Sequence, residues 1–88
     1  MSNFIHAREY LEAGSVVIVE CSHQCNVRVM DDTNFSSYRS GGRHSYHGGF
    51  YTHLPVRISV PRSGWWNTTI DLAGGSASIR YNISYLNA

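Results

Sequence analysis

Most of the chain alternates apolar and polar residues with a period of two, which predicts β-strands. The clearest run is 77–85, where Ala, Ile, Tyr, Ile and Tyr alternate with Ser, Arg, Asn and Ser. Further runs occupy 26–30, 55–61 and 65–72. Residues 15–21 are apolar on both faces, as expected for a strand in the middle of a sandwich. Residues 4–10 fit either another strand or one helical turn.

Turn signals separate these runs, at Ala13-Gly14, Ser63-Gly64 and Gly74-Gly75. The last pair suits a tight hairpin, because glycine accepts a positive φ at both central positions. A chain of 88 residues has room for one domain. The sequence therefore predicts a single all-β domain over 1–88. We expect an antiparallel, jelly-roll-like β-sandwich or a small barrel of about seven or eight short strands, with at most one short helical turn.

The segment 31–49, DDTNFSSYRSGGRHSYHGG, interrupts the alternation. Asp32 is predicted to cap a short helical turn that runs through Tyr38 and ends at Gly41-Gly42. Polar residues, aromatic residues and glycines are concentrated in this segment. Because binding residues of β-sandwiches commonly lie on long connections, it is the first place to expect a site.

Arg39 and Arg43 flank a glycine pair, a composition suited to holding an anion. Glycine lets backbone N–H groups approach a ligand closely, and arginine donates two parallel hydrogen bonds to a phosphate or carboxylate. A second interpretation stays open, in which the glycines only end the helical turn and the arginines are solvated. The candidate ligand- or partner-binding residues are Asn34, Tyr38, Arg39, Gly41, Gly42, Arg43, Tyr46, His47 and Trp65.

Two consecutive tryptophans begin the run at 65–72. On a strand, one of them faces the interior and the other faces solvent. The alternation assigns Trp66 to the core and Trp65 to the surface, where its ring offers a stacking face for a sugar or a base.

The sequence predicts no catalytic residue, metal site or cofactor. His44 and His47 would point to opposite faces of a regular strand, and no third ligand is placed to join them. Cys21 and Cys25 have no second cysteine pair and are predicted to be buried packing residues in a reducing compartment. No G-x-S-x-G motif occurs, although a Ser–His–Asp cluster assembled from distant residues stays open.

The net charge and the short apolar runs of the chain argue against two kinds of partner, nucleic acid and a membrane. Seven Lys+Arg against six Asp+Glu give a net charge of +1, which offers no support for a nucleic-acid surface. No apolar run approaches the roughly 20 residues of a membrane span. The first residues lack a basic cluster and a long apolar stretch, so a cytoplasmic location is expected.

Several motifs together resemble a small bacterial family known only as a domain of unknown function. They are L-x-A-G-x-V-V at 11–17, N-V-x-x-M-D-D-x-N-F-x-x-Y at 26–38, G-G-R at 41–43, P-V-R at 55–57, S-G-x-W at 63–66 and D-L-x-G-G at 71–75. The resemblance implies a compact β-rich bacterial domain, found alone or joined to signalling domains of the Toll/interleukin-receptor (TIR) type. It implies no catalytic residues, and Cys21 and Cys25 depart from its pattern.

These observations lead to one functional prediction and several alternatives. The chain is interpreted as a cytosolic, non-catalytic module that recognises a small anionic ligand or a protein partner through 31–51, with Trp65 alongside. By family analogy it would serve as a sensor or adaptor for TIR-type signalling. The alternatives are a self-associating structural module that forms homo-oligomers, a carbohydrate-binding module and a small hydrolase.

Overall fold

The computed structural model describes residues 4–72 and 79–88, which form seven β-strands and one α-helix. The strands are β1 (Ile5–Leu11), β2 (Val16–Cys21), β3 (Cys25–Asp31), β4 (His47–Tyr51), β5 (Val56–Ser59), β6 (Gly64–Asp71) and β7 (Tyr81–Leu86). Helix α1 (Asp32–Arg39) lies between β3 and β4. The strands form two antiparallel sheets, β1-β6-β3-β4 and β5-β2-β7, which confirms the predicted sandwich rather than a closed barrel.

The two sheets bury one hydrophobic core between their inward faces. Val17 and Val19 of β2 and Val27 and Val29 of β3 are fully buried. The indole of Trp66, 3% exposed, belongs to the same cluster, as the alternation predicted. Strand β2 is the central strand of the smaller sheet, and Val16 and Ile18 on its outer face are half-buried.

The first and last predicted strands differ in outcome. Residues 5–11 form β1, which pairs with β6 from Ile5↔Ile70 to Leu11↔Gly64, so the helical-turn alternative for 4–10 is wrong. The last strand begins only at Tyr81. The predicted hairpin at Gly74-Gly75 lies outside the described residues, and the strands on either side of it, β6 and β7, belong to different sheets.

Helix α1 begins at Asp32, one residue earlier than predicted, because the capping residue is Asp31 rather than Asp32. The N-cap is Asp31, whose extended backbone ends β3 and whose carboxylate accepts a hydrogen bond of 2.8 Å from the backbone N–H of Asn34. Asp32, predicted as the cap, is instead the first helical residue. The helix ends at Arg39, and Gly41 follows with φ +81°, a conformation that suits glycine.

The helix covers part of the outer face of the larger sheet. Phe35, 8% exposed, stacks on the ring of His6 with 4.1 Å between ring centroids. Asn67 and Thr69 on β6 lie on that outer face, yet both are fully buried. Among the described residues, no helix has the length and apolar character needed to cross a membrane.

Candidate functional site

Two surface clefts meet at Arg62, at the end of the sandwich where β3 ends and β6 begins. Their volumes are about 170 Å³ and about 230 Å³, and both are lined by Asp31, Arg62 and Trp66. The smaller cleft also contains Asn34, Tyr46 and His47, and the larger one contains Asp32, Thr33 and Trp65. We call the two clefts together the Arg62 groove. It brings together four of the residues predicted from the sequence as binding residues.

Arg62 divides the groove and is held in place from two sides. Its side chain is 61% exposed, and its guanidinium forms an ion pair with Asp31. The guanidinium also lies 5.0 Å from the ring centroid of Trp66, whose indole N–H donates a 3.0 Å hydrogen bond to the Arg62 carbonyl. A cation over an aromatic face is favourable, so the conformation seen is stabilised without a ligand.

Asp31 is the fixed carboxylate at the centre of the groove. The Asn34 backbone N–H, at 2.8 Å, holds the pKa of the Asp31 carboxyl below its ordinary value, and the Asn34 side chain and Arg62 add to this effect. The side-chain carbonyl of Asn34 in turn accepts a 2.8 Å hydrogen bond from the Ser45 backbone N–H. Asn34 therefore lies in the groove, but its contacts tie the helix to the segment before β4.

Trp65 forms the other end of the groove, with a 48% exposed side chain. Tyr10 contacts its ring edge-on at 5.7 Å, and the guanidinium of Arg8 lies 4.2 Å from its ring centroid. Arg8 also forms two hydrogen bonds with Asp32, of 3.0 and 2.7 Å. These bonds, with one from Asn67, lower the pKa of the Asp32 carboxyl to about 2.

Tyr38 lies outside the groove and has an intramolecular role. Its hydroxyl donates a 3.1 Å hydrogen bond to Asp71, which also accepts a bond of 2.6 Å from Arg28. The Arg28 guanidinium lies between the rings of Tyr38 and Tyr46, at 5.4 and 5.2 Å from their centroids. Burial, and then the negative charge of Asp71, raise the pKa of Tyr38.

The remaining predicted residues are at the C-terminal end of α1. Gly41 and Gly42 follow the helix, and Gly42 donates a 2.7 Å hydrogen bond to the Ser37 carbonyl, which fits the interpretation that the glycines end the helix. Arg39 and Arg43 are exposed. Within residues 4–72 and 79–88, the ion pairs involve Arg8, Arg28 and Arg62 rather than these two arginines.

The described histidines have no contacts typical of a catalytic cluster. Ser22 and Thr52 form hydrogen bonds of 2.8 and 3.0 Å with His23 and His53, and each of these contacts joins sequence neighbours at exposed positions. No group of three His, Cys, Asp or Glu residues in the described part of the chain is placed to hold a metal ion.

Sequence reasoning missed Arg62, because the Pro61-Arg62-Ser63-Gly64 stretch reads as a turn. One feature of the sequence could have pointed to this turn. A tryptophan assigned to the core needs a partner for its indole N–H, and a nearby turn is a common source of a free carbonyl. The ion pair with Asp31 had no such signal, since 31 positions separate the two residues in the chain.

Comparison with protein families identifies the chain at the family level. The profile of one family, Domain of unknown function (DUF1883), matches residues 2–88. Comparison with curated proteins and with solved structures gave no match. The match spans nearly the whole chain and confirms the resemblance to a domain family without an assigned activity. The protein therefore belongs to the DUF1883 family.

Proposed function

We propose that the domain is a non-catalytic recognition module whose ligand binds in the Arg62 groove. The observation that carries the proposal is the placement of Arg62, Tyr46 and Trp65 along one groove, each with an exposed side chain. Tryptophan, tyrosine and arginine are the residue types that contribute most to binding energy in known interfaces.

The geometry of the groove favours binding without rearrangement. Arg62 is restrained by Asp31 and Trp66, and Trp65 is restrained by Tyr10 and Arg8. Side chains that are already ordered lose little conformational entropy when a ligand arrives. Because its side chains are already ordered, the groove can bind polar ligands whose individual contacts are weak.

The charges along the groove favour a neutral ligand over an anion. Two carboxylates, Asp31 and Asp32, are paired with two arginines, Arg62 and Arg8, so the local charge sums to zero. An anion that approached Arg62 would also meet the negative charge of Asp31. A hydroxyl-rich ligand avoids this repulsion, because its hydroxyls can donate to carboxylates and accept from guanidinium groups.

A carbohydrate chain is the ligand class that best fits these features. The apolar faces of sugar rings pack on exposed aromatic rings, and Trp65 offers such a ring at one end of the groove, with Tyr46 at the other. This proposal favours the carbohydrate-binding alternative of the sequence analysis over the small anionic ligand.

A titration with a panel of soluble cello-, xylo- and chito-oligosaccharides would test the proposal, with thermal shift and tryptophan fluorescence as readouts. We expect at least one oligosaccharide to raise the melting temperature. Trp65→Ala and Arg62→Met should each weaken its binding about tenfold, which corresponds to about 1.4 kcal/mol. Tyr81→Ala is the matched control, since Tyr81 is 51% exposed and lies on the other sheet.

Two outcomes would reject the carbohydrate proposal. One is the absence of any shift across the panel while the protein remains folded. The other is an oligosaccharide that binds Trp65→Ala as tightly as the parent protein. Binding that is lost in Tyr81→Ala would place the site on the smaller sheet instead.

A second candidate is the anion site predicted at Arg39 and Arg43. Their exposure supports it, but the C-terminal end of α1 carries a partial negative charge that opposes an anion, and Arg39 in the last turn offsets that charge. Inorganic pyrophosphate is a suitable probe. A melting-temperature rise that disappears in the Arg39→Ala/Arg43→Ala double variant would support this site, and no response to pyrophosphate would reject it.

The proposed cellular role rests on the resemblance alone. A bacterial, cytosolic sensor or adaptor for TIR-type signalling would use the groove to detect its ligand and another surface to reach its partner. Sedimentation velocity at micromolar concentration would separate this role from a self-associating structural module. A monomer is expected for the sensor, and a concentration-dependent oligomer for the structural module.

A further inference from the structure

Cys21 and Cys25 face each other at the end of the sandwich opposite the Arg62 groove. Cys21 is the last residue of β2 and Cys25 is the first residue of β3, so the turn at 22–24 carries the chain from the smaller sheet to the larger one. Cys25 alternates with the inward Val27 and is fully buried. Cys21 alternates with the inward Val19 and packs against the same core.

The environment of the two thiols is unequal. Burial, and then the adjacent Cys21 thiol within hydrogen-bonding reach, raise the pKa of the Cys25 thiol to about 12. Both cysteines are free thiols. Cys25 is therefore a poor nucleophile by itself, although its sulfur lies next to a second sulfur.

Cys21 is the thiol that reagents can reach. It lines a surface cleft of about 310 Å³ together with Ser22, Arg80 and Tyr81. One accessible thiol and one buried neighbour are the arrangement of an attacking and a resolving cysteine.

We propose that Cys21 and Cys25 form a redox site that low-molecular-weight disulfides, such as oxidised glutathione, convert reversibly into an intramolecular disulfide. The bond would join the two sheets across the turn at 22–24. This inference is independent of the carbohydrate proposal, because none of the groove residues takes part in it.

The oxidation proceeds by two exchange steps. The Cys21 thiolate attacks one sulfur of oxidised glutathione, the glutathione S–S bond breaks, and one glutathione leaves as a thiolate. Cys25 then loses its proton to solvent and attacks the Cys21 sulfur of the mixed disulfide, and the second glutathione leaves. The two protein thiols are oxidised, and one oxidised glutathione is reduced to two molecules of glutathione.

The test equilibrates the native protein with a series of ratios of reduced to oxidised glutathione, followed by alkylation of free thiols and intact mass spectrometry. We expect a species that is lighter by two hydrogen atoms and resists alkylation. Its fraction should follow the glutathione ratio and fall to zero on reduction. The oxidised protein should also melt at a higher temperature, since a disulfide restricts the unfolded chain.

Two variants make the result decisive. Cys25→Ser should stop at the mixed disulfide and gain the mass of one glutathionyl group. Cys21→Ser should remain unmodified while folded, because the remaining thiol is buried. The proposal is overturned if the folded parent protein stays reduced at every ratio, if it accumulates only the mixed disulfide, or if Cys21→Ser reacts as fast as Cys25→Ser.

Discussion

Asn67 connects three elements through one buried side chain. Its carbonyl oxygen accepts a 2.8 Å hydrogen bond from the His6 ring, assigned the tautomer that donates from Nε2. Its amide donates at 2.8 Å to Asp32 and at 3.4 Å to the Met30 carbonyl. These bonds link β6 to β1, to β3 and to the first turn of α1. Asn67 is fully buried, so no water can replace a lost partner without rearrangement.

Replacing Asn67 by Leu should destabilise the fold by about 1–3 kcal/mol, because it removes, at a fully buried position, the hydrogen bonds to His6, to Asp32 and to the carbonyl of buried Met30. Urea unfolding measures the loss. Asn82→Leu is the control, since Asn82 is exposed on β7, and it should change the free energy of unfolding by less than about 0.5 kcal/mol. Similar losses in the two variants would contradict the structural role of Asn67.

Alternation predicted which residues of β6 share a face, but it could not predict what covers that face. The alternation that assigns Trp66 to the core assigns Asn67 to the opposite face, where the structure has it, and such a position normally faces solvent. The helix that buries it is next to β3 in the chain and packs against β6 through tertiary contacts. Arg62 was missed for the same reason, because its partner Asp31 is distant in the sequence.

Two adjacent glycines in β4 have different roles. Gly48 has φ +131°, and a Cβ atom at this position would lie 2.1 Å from the Val27 carbonyl oxygen on β3. Gly49 has no heavy atom within 4 Å of the position that a Cβ would take. The first glycine therefore allows β4 to approach β3, while the second is not required by the fold.

Gly48→Ala should destabilise the domain by about 2 kcal/mol or more, because the methyl group collides with backbone and φ is unfavourable for alanine. Gly49→Ala should stay within about 1 kcal/mol of the parent. Thermal unfolding of both variants checks the contrast. Equal melting temperatures would show that β4 is not held against β3 as described.

Strands were more predictable than the details of turns and caps. Short-range alternation depends only on which face is buried, and five of the seven described strands overlap runs predicted as strands, namely β2, β3, β5, β6 and β7. The sequence left β1 open between a strand and a helical turn. Strand β4 carries His47 and two glycines, so no alternation marked it. The N-cap was misplaced by one residue, because two consecutive aspartates fit the capping position equally well.

Two carboxylates with lowered pKa values make the stability of the domain depend on pH. The pKa values of Asp31 and Asp32 are both lowered from 3.8, the latter to about 2. A carboxylate with a lowered pKa stabilises the fold above its ordinary value, and this contribution is lost as the pH falls through the lowered value. Asp31 contacts Arg62 and Asp32 contacts Arg8, and each of these ion pairs joins residues that lie far apart in the sequence.

The free energy of unfolding should therefore fall as the pH is lowered from about 4 to about 2. Asp32→Asn should be less stable than the parent at pH 7, by less than about 1 kcal/mol because the ion pair is half-exposed. The two proteins should converge near pH 2. Chemical unfolding at several pH values measures this, and a difference that persists undiminished at pH 2 would exclude the ionic contribution.

The sandwich was predictable at the level of the whole molecule, but its strand order was not. Composition and alternation favour two packed sheets, since strands with one apolar face must cover each other. The pairings of β1 with β6 and of β2 with β7 join residues from the two ends of the chain, and no local pattern specifies them.

These long-range pairings have a consequence for how the protein is made. Strand β1 is hydrogen-bonded only to β6 among the described strands, and β2 at the centre of its sheet needs β7. During translation, the first two strands leave the ribosome long before their partners exist. Folding of the domain must then wait until β6 and β7 have been synthesised, and a prematurely terminated chain would expose unpaired strand edges to chaperones and proteases.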